Sequence, residues 1–256
     1  MEEYTDGLTD YRIYIMSKNE RIFNIVIAAA ALFALGYVFY QNIILSSTFM
    51  IFAIKWPKIR TKQIIERRKK DLTVQFKDML YSLSSSLSSG RSVELALKES
   101  LKDLRIIYPD DDTYIIKEIS YIIRGIDMNE TVEDMFLQFA KRAHIEDIDN
   151  FTDVFRTCKR TGGDIIQITR STSQIIGEKI EIQQEIASLI SGKRFEFKVL
   201  MITPIFLILM LTYTAGDYMA PIFDLKKIVG PVVMTIVIGL FAVAYYIGSK
   251  IMKIEV

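Results

Sequence analysis

The sequence predicts an all-α membrane protein in which four transmembrane helices, two near each end, flank a cytoplasmic helical bundle. The 256 residues are 50% hydrophobic with a mean hydropathy of +0.24, although 25% of them are charged. The charges are sparse in 22–56 and 199–249, and between these blocks apolar residues recur at helical spacing. The expected segments are an N-terminal cytoplasmic segment 1–21, a transmembrane hairpin 22–56, a cytoplasmic helical domain 57–198, a second transmembrane hairpin 199–249 and a cytoplasmic tail 250–256.

The first apolar block predicts a membrane hairpin. Residues 22–40 form a run of 19 residues without a charge, which is long enough to cross a hydrocarbon core of ~30 Å. After Gln41 and Asn42 a second run, 43–56, has only 14 residues and includes Lys55. A tight return across the membrane is the simplest interpretation, with Lys55 snorkelling and Trp56 at the interface. A re-entrant or interfacial helix stays open as the alternative.

The second apolar block predicts another pair of spans. The run 199–216 contains Pro204, which we expect to kink a membrane helix because proline removes one backbone hydrogen bond. The run 228–247 is the most uniformly apolar of the four runs and contains no charged residue. The link 217–227 between them is short.

Basic residues near the predicted spans set the orientation. Both termini and the middle domain are expected in the cytoplasm of a multi-pass inner-membrane protein, although Lys226 and Lys227 in the second external link disagree. The basic cluster at 55–70 either attracts anionic lipid headgroups or acts only as a topology signal. The supporting basic residues are Lys55, Lys58, Arg60, Lys62, Arg67, Arg68, Lys69, Lys70, Lys193, Arg194, Lys198, Lys250 and Lys253.

Glycines divide the middle domain into helices. Gly90, Gly125 and Gly162 follow amphipathic stretches, and the Ser-rich stretch 82–89 is expected to be helical because Leu83 and Leu87 continue its apolar stripe. The expected apolar stripes are Leu72, Phe76, Met79, Leu80, Leu83 and Leu87; Val93, Leu97, Leu101 and Leu104; Val132, Met135, Phe136, Phe139 and Ala140; and Ile148, Phe151, Val154, Phe155 and Cys158.

Capping residues predict where these helices begin. Ser92 is expected to cap one helix, and either Asn129 or Thr131 another. A helix from about residue 113 is expected to end at Gly125. Asp164 is expected to cap a long helix that can continue into the third span.

The residue types argue against an enzyme. His144 is the only histidine and Cys158 the only cysteine, so no Cys/His metal site is expected. Residues 161–164 lack the lysine of a phosphate-binding loop. The 24 Lys+Arg and 23 Asp+Glu of 58–198 give no basic field for nucleic acid. We therefore expect no catalytic, cofactor-binding or metal-binding residues. The N-terminus is acidic and lacks a basic stretch, so we expect no signal peptide there.

The stretch 121–176, YIIRGIDMNETVEDMFLQFAKRAHIEDIDNFTDVFRTCKRTGGDIIQITRSTSQII, resembles the F domain of type II secretion and type IV pilus inner-membrane platform proteins (GspF/PilC-like). The matching elements are Gly125, the "A-x-R" of 140–142 and the Gly162-Gly163-Asp164 turn; LSSGRSVELAL resembles the family's first glycine turn. The paired spans and the C-terminal IGSKIMKIEV look most like the TadB type of the Tad (Flp) pilus branch. Asp164 stands where that branch often has asparagine.

The resemblance implies a static platform rather than a catalyst. Its partners would be a cytoplasmic hexameric secretion ATPase, a sister platform protein or a second copy, pilin subunits and the lipid bilayer. A small transporter, a membrane-anchored signalling adaptor and a tetratricopeptide array remain alternatives, although the last lacks its Trp and Leu-Gly signature. The candidate turn or partner-contact residues are Gly90, Gly125, Arg142, Thr161, Gly162, Gly163 and Asp164, with Pro204 as a membrane kink.

Overall fold

The computed structural model describes residues 4–5, 8–216 and 229–251, and the chain forms two compact units. The first, called here the helical unit, comprises Met1–Met16 and Arg60–Ile182. The second, called the hairpin unit, comprises Ser17–Ile59 and Gln183–Val256. The predicted external link 217–227, the first residue of the fourth run and residues 252–256 of the tail lie outside the described residues.

Nearly all of the described chain is helical. A short antiparallel ribbon pairs β1, Tyr4–Thr5, with β2, Leu8–Thr9. The all-α prediction missed this ribbon because two residues per strand are too few for an alternating pattern to show. The helices are α1 Lys18–Tyr40, α2 Ile43–Phe49, a 3-10 helix Met50–Lys55, α3 Trp56–Ser88, α4 Val93–Ile107, α5 Tyr114–Asp127, α6 Val132–Ala143, α7 Glu146–Thr161, α8 Ile165–Thr214 and α9 Val229–Ile251.

The helical unit has an aromatic core. The predicted stripes of α3 and α6 are buried, and α4 buries Leu97 and Leu104 while Val93 and Leu101 are half-buried. Val154 was predicted wrongly, since 48% of it is exposed: it lies at the edge of the α7 stripe. The rings at the centre pack with centroids 5.2 to 5.9 Å apart, within the range that aromatic pairs favour. They belong to Phe76, Phe136, Phe139, Phe151 and Phe155.

The Ser-rich stretch continues α3, as predicted. Two of its hydroxyls reach α4: Ser82 donates to the Asp103 carboxylate at 2.6 Å and Ser86 to the Glu99 carboxylate at 3.3 Å. These hydrogen bonds join α3 to α4, so the serines belong to the packed bundle rather than to a flexible linker.

Helices α4 and α6 begin at polar capping residues that the sequence predicts. The Ser92 hydroxyl accepts the Leu95 N–H at 3.4 Å, and the Thr131 hydroxyl accepts the Asp134 N–H at 3.2 Å. Each satisfies one of the backbone donors that a helix leaves free in its first turn. Thr131, rather than Asn129, is therefore the cap of α6.

The first two helices of the hairpin unit fold back on each other. The Asn42 side chain caps α2 by accepting the Ile44 N–H at 2.9 Å. Ala28 and Ala29 pack against Ala53, and a Cβ on Gly36 would lie 3.1 Å from the Ser46 Cα. Small residues at the contact let the two backbones come close, as in membrane helix pairs.

Three helices among the described residues are long and apolar enough to cross a membrane: Lys18–Tyr40, Ile165–Thr214 and Gly230–Ile251. The predicted count of four spans is not confirmed. The run 43–56 forms a seven-residue α-helix and a six-residue 3-10 helix instead of one long helix. The hydroxyls of Ser46 and Ser47 donate to the carbonyls four residues earlier, a pattern that favours bending.

The C-terminal helices of the hairpin unit pack on each other and on α1. The hydroxyls of Tyr40 and Thr235 share a hydrogen bond of 2.7 Å, which joins the end of α1 to the start of α9. The rings of Phe197 and Tyr245 stack at 6.2 Å, which joins the start of the third apolar run to the end of α9. α9 is therefore antiparallel both to α1 and to the last part of α8. Pro204 lies inside α8, which continues to Thr214.

Candidate functional site

Two opposite charges lie on the apolar faces of neighbouring helices in the helical unit. Glu118 belongs to the same face of α5 as Ile115 and Ile122, and Arg142 lies seven residues after the buried Met135 of α6. Helical periodicity places both side chains toward the core. Glu118 is fully buried and Arg142 is 8% exposed.

These charges form an internal ion pair. The Arg142 Nη2 donates to the Glu118 Oε2 at 2.7 Å, and the guanidinium lies over the Tyr121 ring, 5.0 Å from its centroid. A buried charge is tolerated only when it is paired and hydrogen-bonded, so the two residues depend on each other. The sequence prediction that Arg142 contacts a partner is corrected here, because its guanidinium is directed into the bundle.

The N-terminal segment completes this cluster. Residues 8–16, called here the strap, bring Tyr11 against the bundle, where it is 2% exposed. Its N–H donates to the Arg142 carbonyl at 3.1 Å, its hydroxyl hydrogen-bonds Glu118, and its ring packs edge-on against Tyr114 at 5.5 Å. The strap thus adds a hydrogen-bond donor to a carboxylate that water cannot reach.

Burial shifts the pKa values of Glu118 and Tyr11. It raises the pKa of Glu118 above the usual carboxyl range, against the opposing effects of Arg142 and Tyr11. Burial, together with the charge of Glu118, also raises the pKa of Tyr11, so that this hydroxyl remains protonated and donates. We name Tyr11, Glu118, Tyr121 and Arg142 the Arg142 cluster.

The three predicted glycine turns gather at the other end of the bundle. Lys98 near the start of α4 pairs with Asp127 at the end of α5 at 2.7 Å. Lys159 near the end of α7 pairs with Glu133 at the start of α6, also at 2.7 Å. A hydrogen bond with its own backbone is the main cause that lowers the pKa of Glu94, and the Lys159 charge contributes. These contacts bring the ends of α5 and α7 beside the starts of α4 and α6. The exposed residues here, called the turn face, are Gly90, Arg91, Met128, Asn129, Glu130, Thr161, Gly162, Gly163 and Asp164.

Gly125 has a different role from the predicted one. α5 does not end there but continues to Asp127, with Asn129 in the left-handed region at φ 67°. A Cβ on Gly125 would collide with the Met135 sulfur of α6, so the glycine permits close packing of α5 on α6. It also lines a surface cleft of about 250 Å³ beside the exposed Met128.

The last turn joins α7 to α8. Gly162 has φ 73°, a conformation that favours glycine, and the Gly163 N–H donates to the Cys158 carbonyl at 2.9 Å. The Asp164 carboxylate accepts the Gln167 N–H at 3.0 Å and so caps α8. Thr161, Gly162, Gly163 and Asp164 are exposed, whereas Cys158 is buried.

The turn face and nearly all of α8 lie within the part of the chain that matches a known family. A family model described as Type II secretion system (T2SS), protein F matches residues 79–212, just over half of the chain. The chain belongs to the type II secretion system protein F family. No curated protein and no solved structure matches it.

Membership assigns this F-family protein to the platform proteins of type II secretion and type IV pilus machines, which are inner-membrane proteins. The matched region begins within α3 and ends in the last turns of α8. It therefore contains Gly90, Gly125 and the 161–164 turn, together with most of the third apolar run. The strap, α1 and α9 lie outside it.

Proposed function

We propose that the protein is the non-enzymatic platform of a Tad/Flp-type pilus or related secretion machine, coupling a cytoplasmic ATPase to the extraction of pilins from the membrane. The observation that carries the proposal is α8. This helix of 50 residues begins in the core of the helical unit, where Thr169 and Ile176 are buried, and ends as an apolar span. One continuous helix of ~75 Å can transmit a displacement of the helical unit to the membrane.

The distribution of charge supports a cytoplasmic helical unit. In the hairpin unit, exposed basic residues stand at one end of the helices, and the Gln41-Asn42 turn at the other end has none. Basic residues flanking membrane spans stay on the cytoplasmic side, so we place both termini there. The residues, named here the basic collar, are Lys18, Arg21, Lys55, Lys58, Lys198 and Lys250.

The turn face supports the partner contact. Met128 is 76% exposed, and because single exposed apolar side chains are common on protein surfaces, its position is what distinguishes it. It lies beside the cleft at Gly125. We assign this face, including Thr161, to the ATPase or to a sister platform protein.

A charge on the turn face tests the proposal. Met128→Asp should reduce pilus assembly or export by about tenfold or more, because loss of a central interface residue costs about 2 kcal/mol or more of binding free energy. The side chain contacts solvent, so the amount of protein in the membrane should not change. Ile106→Asp is the matched control: Ile106 is 80% exposed on α4, at the end of the bundle away from the turn face.

Normal assembly by the Met128→Asp variant at wild-type abundance would contradict the assignment of the face. Valine at Gly162 and Gly163 would also be expected to abolish assembly. The double change would strain the backbone at Gly162, where φ is 73°, and bring a Cβ at position 163 against the Cys158 sulfur. A loss of assembly in that variant would therefore combine a damaged turn with a lost partner contact. Met128→Asp leaves the turn at Gly162 and Gly163 intact, so it tests the partner contact alone.

A further inference from the structure

We propose that the basic collar of the hairpin unit binds anionic phospholipid headgroups, so that the protein selects acidic lipids around its membrane helices. The inference goes beyond the coupling role, which requires no particular lipid. It depends on the positions, exposure and pairing of six basic side chains within one compact unit.

The packing within the hairpin unit brings the six residues to one end. α1 begins near Lys18 and Arg21, and the chain returns through α2 and the 3-10 helix to Lys55. The contact of Phe197 with Tyr245 then sets the start of the third apolar run, and with it Lys198, beside the end of α9 at Lys250. Because α9 is antiparallel to α1, the two groups of basic residues share one end of the unit.

The collar residues are available to a ligand. All six are exposed, and none forms an ion pair with another residue of the described chain. Lys193 is different, since it pairs with Glu196 at 2.9 Å. Six positive charges toward one end of the unit make a local field that attracts anions.

The apolar surface next to the collar identifies the anion as a lipid headgroup. Side chains on the span side of Lys55, such as Phe52 and Ile54, are 64% and 62% exposed, and α9 likewise exposes Val243 and Leu240. None of the described residues covers this apolar surface. The hydrocarbon chains of a bilayer would cover it. Tyr245 and Tyr246 lie between the apolar side chains of α9 and Lys250, and Trp56 lies between Lys55 and Lys58, so amphipathic rings accompany the charges as they do at the headgroup level.

The collar therefore combines the three parts of a lipid-facing surface: apolar side chains, aromatic rings and cations without an ion-pair partner. Each Lys or Arg near a bilayer surface strengthens binding to acidic lipid by about fivefold, within a Debye length of ~8 Å at physiological salt. Zwitterionic headgroups offer no net charge to this field, so a preference is expected rather than general adhesion.

Trp56 supplies the test, because it is the only tryptophan of the chain and lies between Lys55 and Lys58. The full-length protein is reconstituted in phosphatidylcholine bilayers that contain either phosphatidylglycerol or phosphatidylcholine brominated in the upper acyl chain. Bromine quenches nearby tryptophan fluorescence. We expect brominated phosphatidylglycerol to occupy the sites around Trp56 at least about fivefold more readily, and the preference to fall in 1 M salt.

The double variant Lys55→Gln/Lys58→Gln removes the two cations beside Trp56 and should reduce the preference for brominated phosphatidylglycerol there by about fivefold or more. The control Lys102→Gln/Lys141→Gln removes the same charge from exposed positions of the helical unit and should keep the preference. Equal quenching in the wild-type protein would overturn the proposal. An equal loss in the control would overturn it as well, because the preference would then follow from total charge. Neither outcome bears on pilus assembly.

Discussion

Replacing Arg142 by methionine lowers the free energy of unfolding of the helical unit by about 3–5 kcal/mol, the usual cost of leaving one charge of a buried pair without its partner. Glu118 would remain fully buried with only Tyr11 to stabilise its charge. The measurement is urea unfolding of the full chain in detergent, followed by protease sensitivity of the helical unit.

The loss should depend on pH. Without Arg142, burial raises the pKa of Glu118 still further, so the folded state binds a proton that the unfolded state has released. Stability then falls as pH rises from the ordinary carboxyl value of about 4.3 through the raised one. The deficit of the variant is therefore expected to be smaller at about pH 5 than at about pH 8.

Two controls separate burial from charge. Glu118→Met/Arg142→Met removes both charges and should recover most of the stability, since apolar replacements of buried pairs are often neutral. Lys98→Met breaks a pair of the same 2.7 Å length, but one whose side chains are 44% and 56% exposed, and should cost about 1 kcal/mol or less. A loss at Arg142 no larger than that at Lys98 would contradict the account of the Arg142 cluster.

Replacing Tyr11 by alanine removes the anchor of the strap and costs about 3–5 kcal/mol, as for other large aromatic side chains buried in a core. The change deletes the ring contact with Tyr114 and the hydrogen bond to Glu118. The strap should detach, which hydrogen exchange of the amides of residues 8–16 would report as a loss of protection.

Ile15→Ala is the matched control within the strap. Ile15 is 47% exposed, so its truncation should change stability by about 0.5 kcal/mol or less. Tyr11→Phe should lie between the two, because it keeps the ring and loses one hydrogen bond. Unchanged exchange in the Tyr11→Ala variant would show that the strap is held by other contacts.

The sequence predicted the parts of the fold that depend on periodicity and on glycine. The stripes of α3 and α6 and the turns at Gly90 and Gly162 follow from local patterns, because spacing and a positive φ leave a direct trace in residue type. Gly125 was misinterpreted because a glycine that ends a helix and one that admits a neighbouring side chain look alike in sequence. The split of 43–56 was missed because apolar composition does not fix helix continuity.

The Arg142 cluster could have been found and was not. Glu118 and Arg142 each occupy a core position of an amphipathic pattern, and opposite charges at such positions are a signal for a buried pair. The sequence of the strap contains no comparable signal. Tyr11 lies in a short irregular segment, and its place on the bundle depends on contacts with residues more than 100 positions away.

Photocrosslinking at the turn face tests most directly the claim that this protein couples a cytoplasmic machine to the membrane. A photoreactive residue replaces Met128 or Thr161, and a third variant carries it at Ile106 as the control for a distant exposed site. The account predicts that Met128 and Thr161 capture a secretion ATPase or a sister platform protein in cells and that Ile106 does not. Capture of neither partner, by variants that are membrane-inserted and still assemble pili, would contradict it.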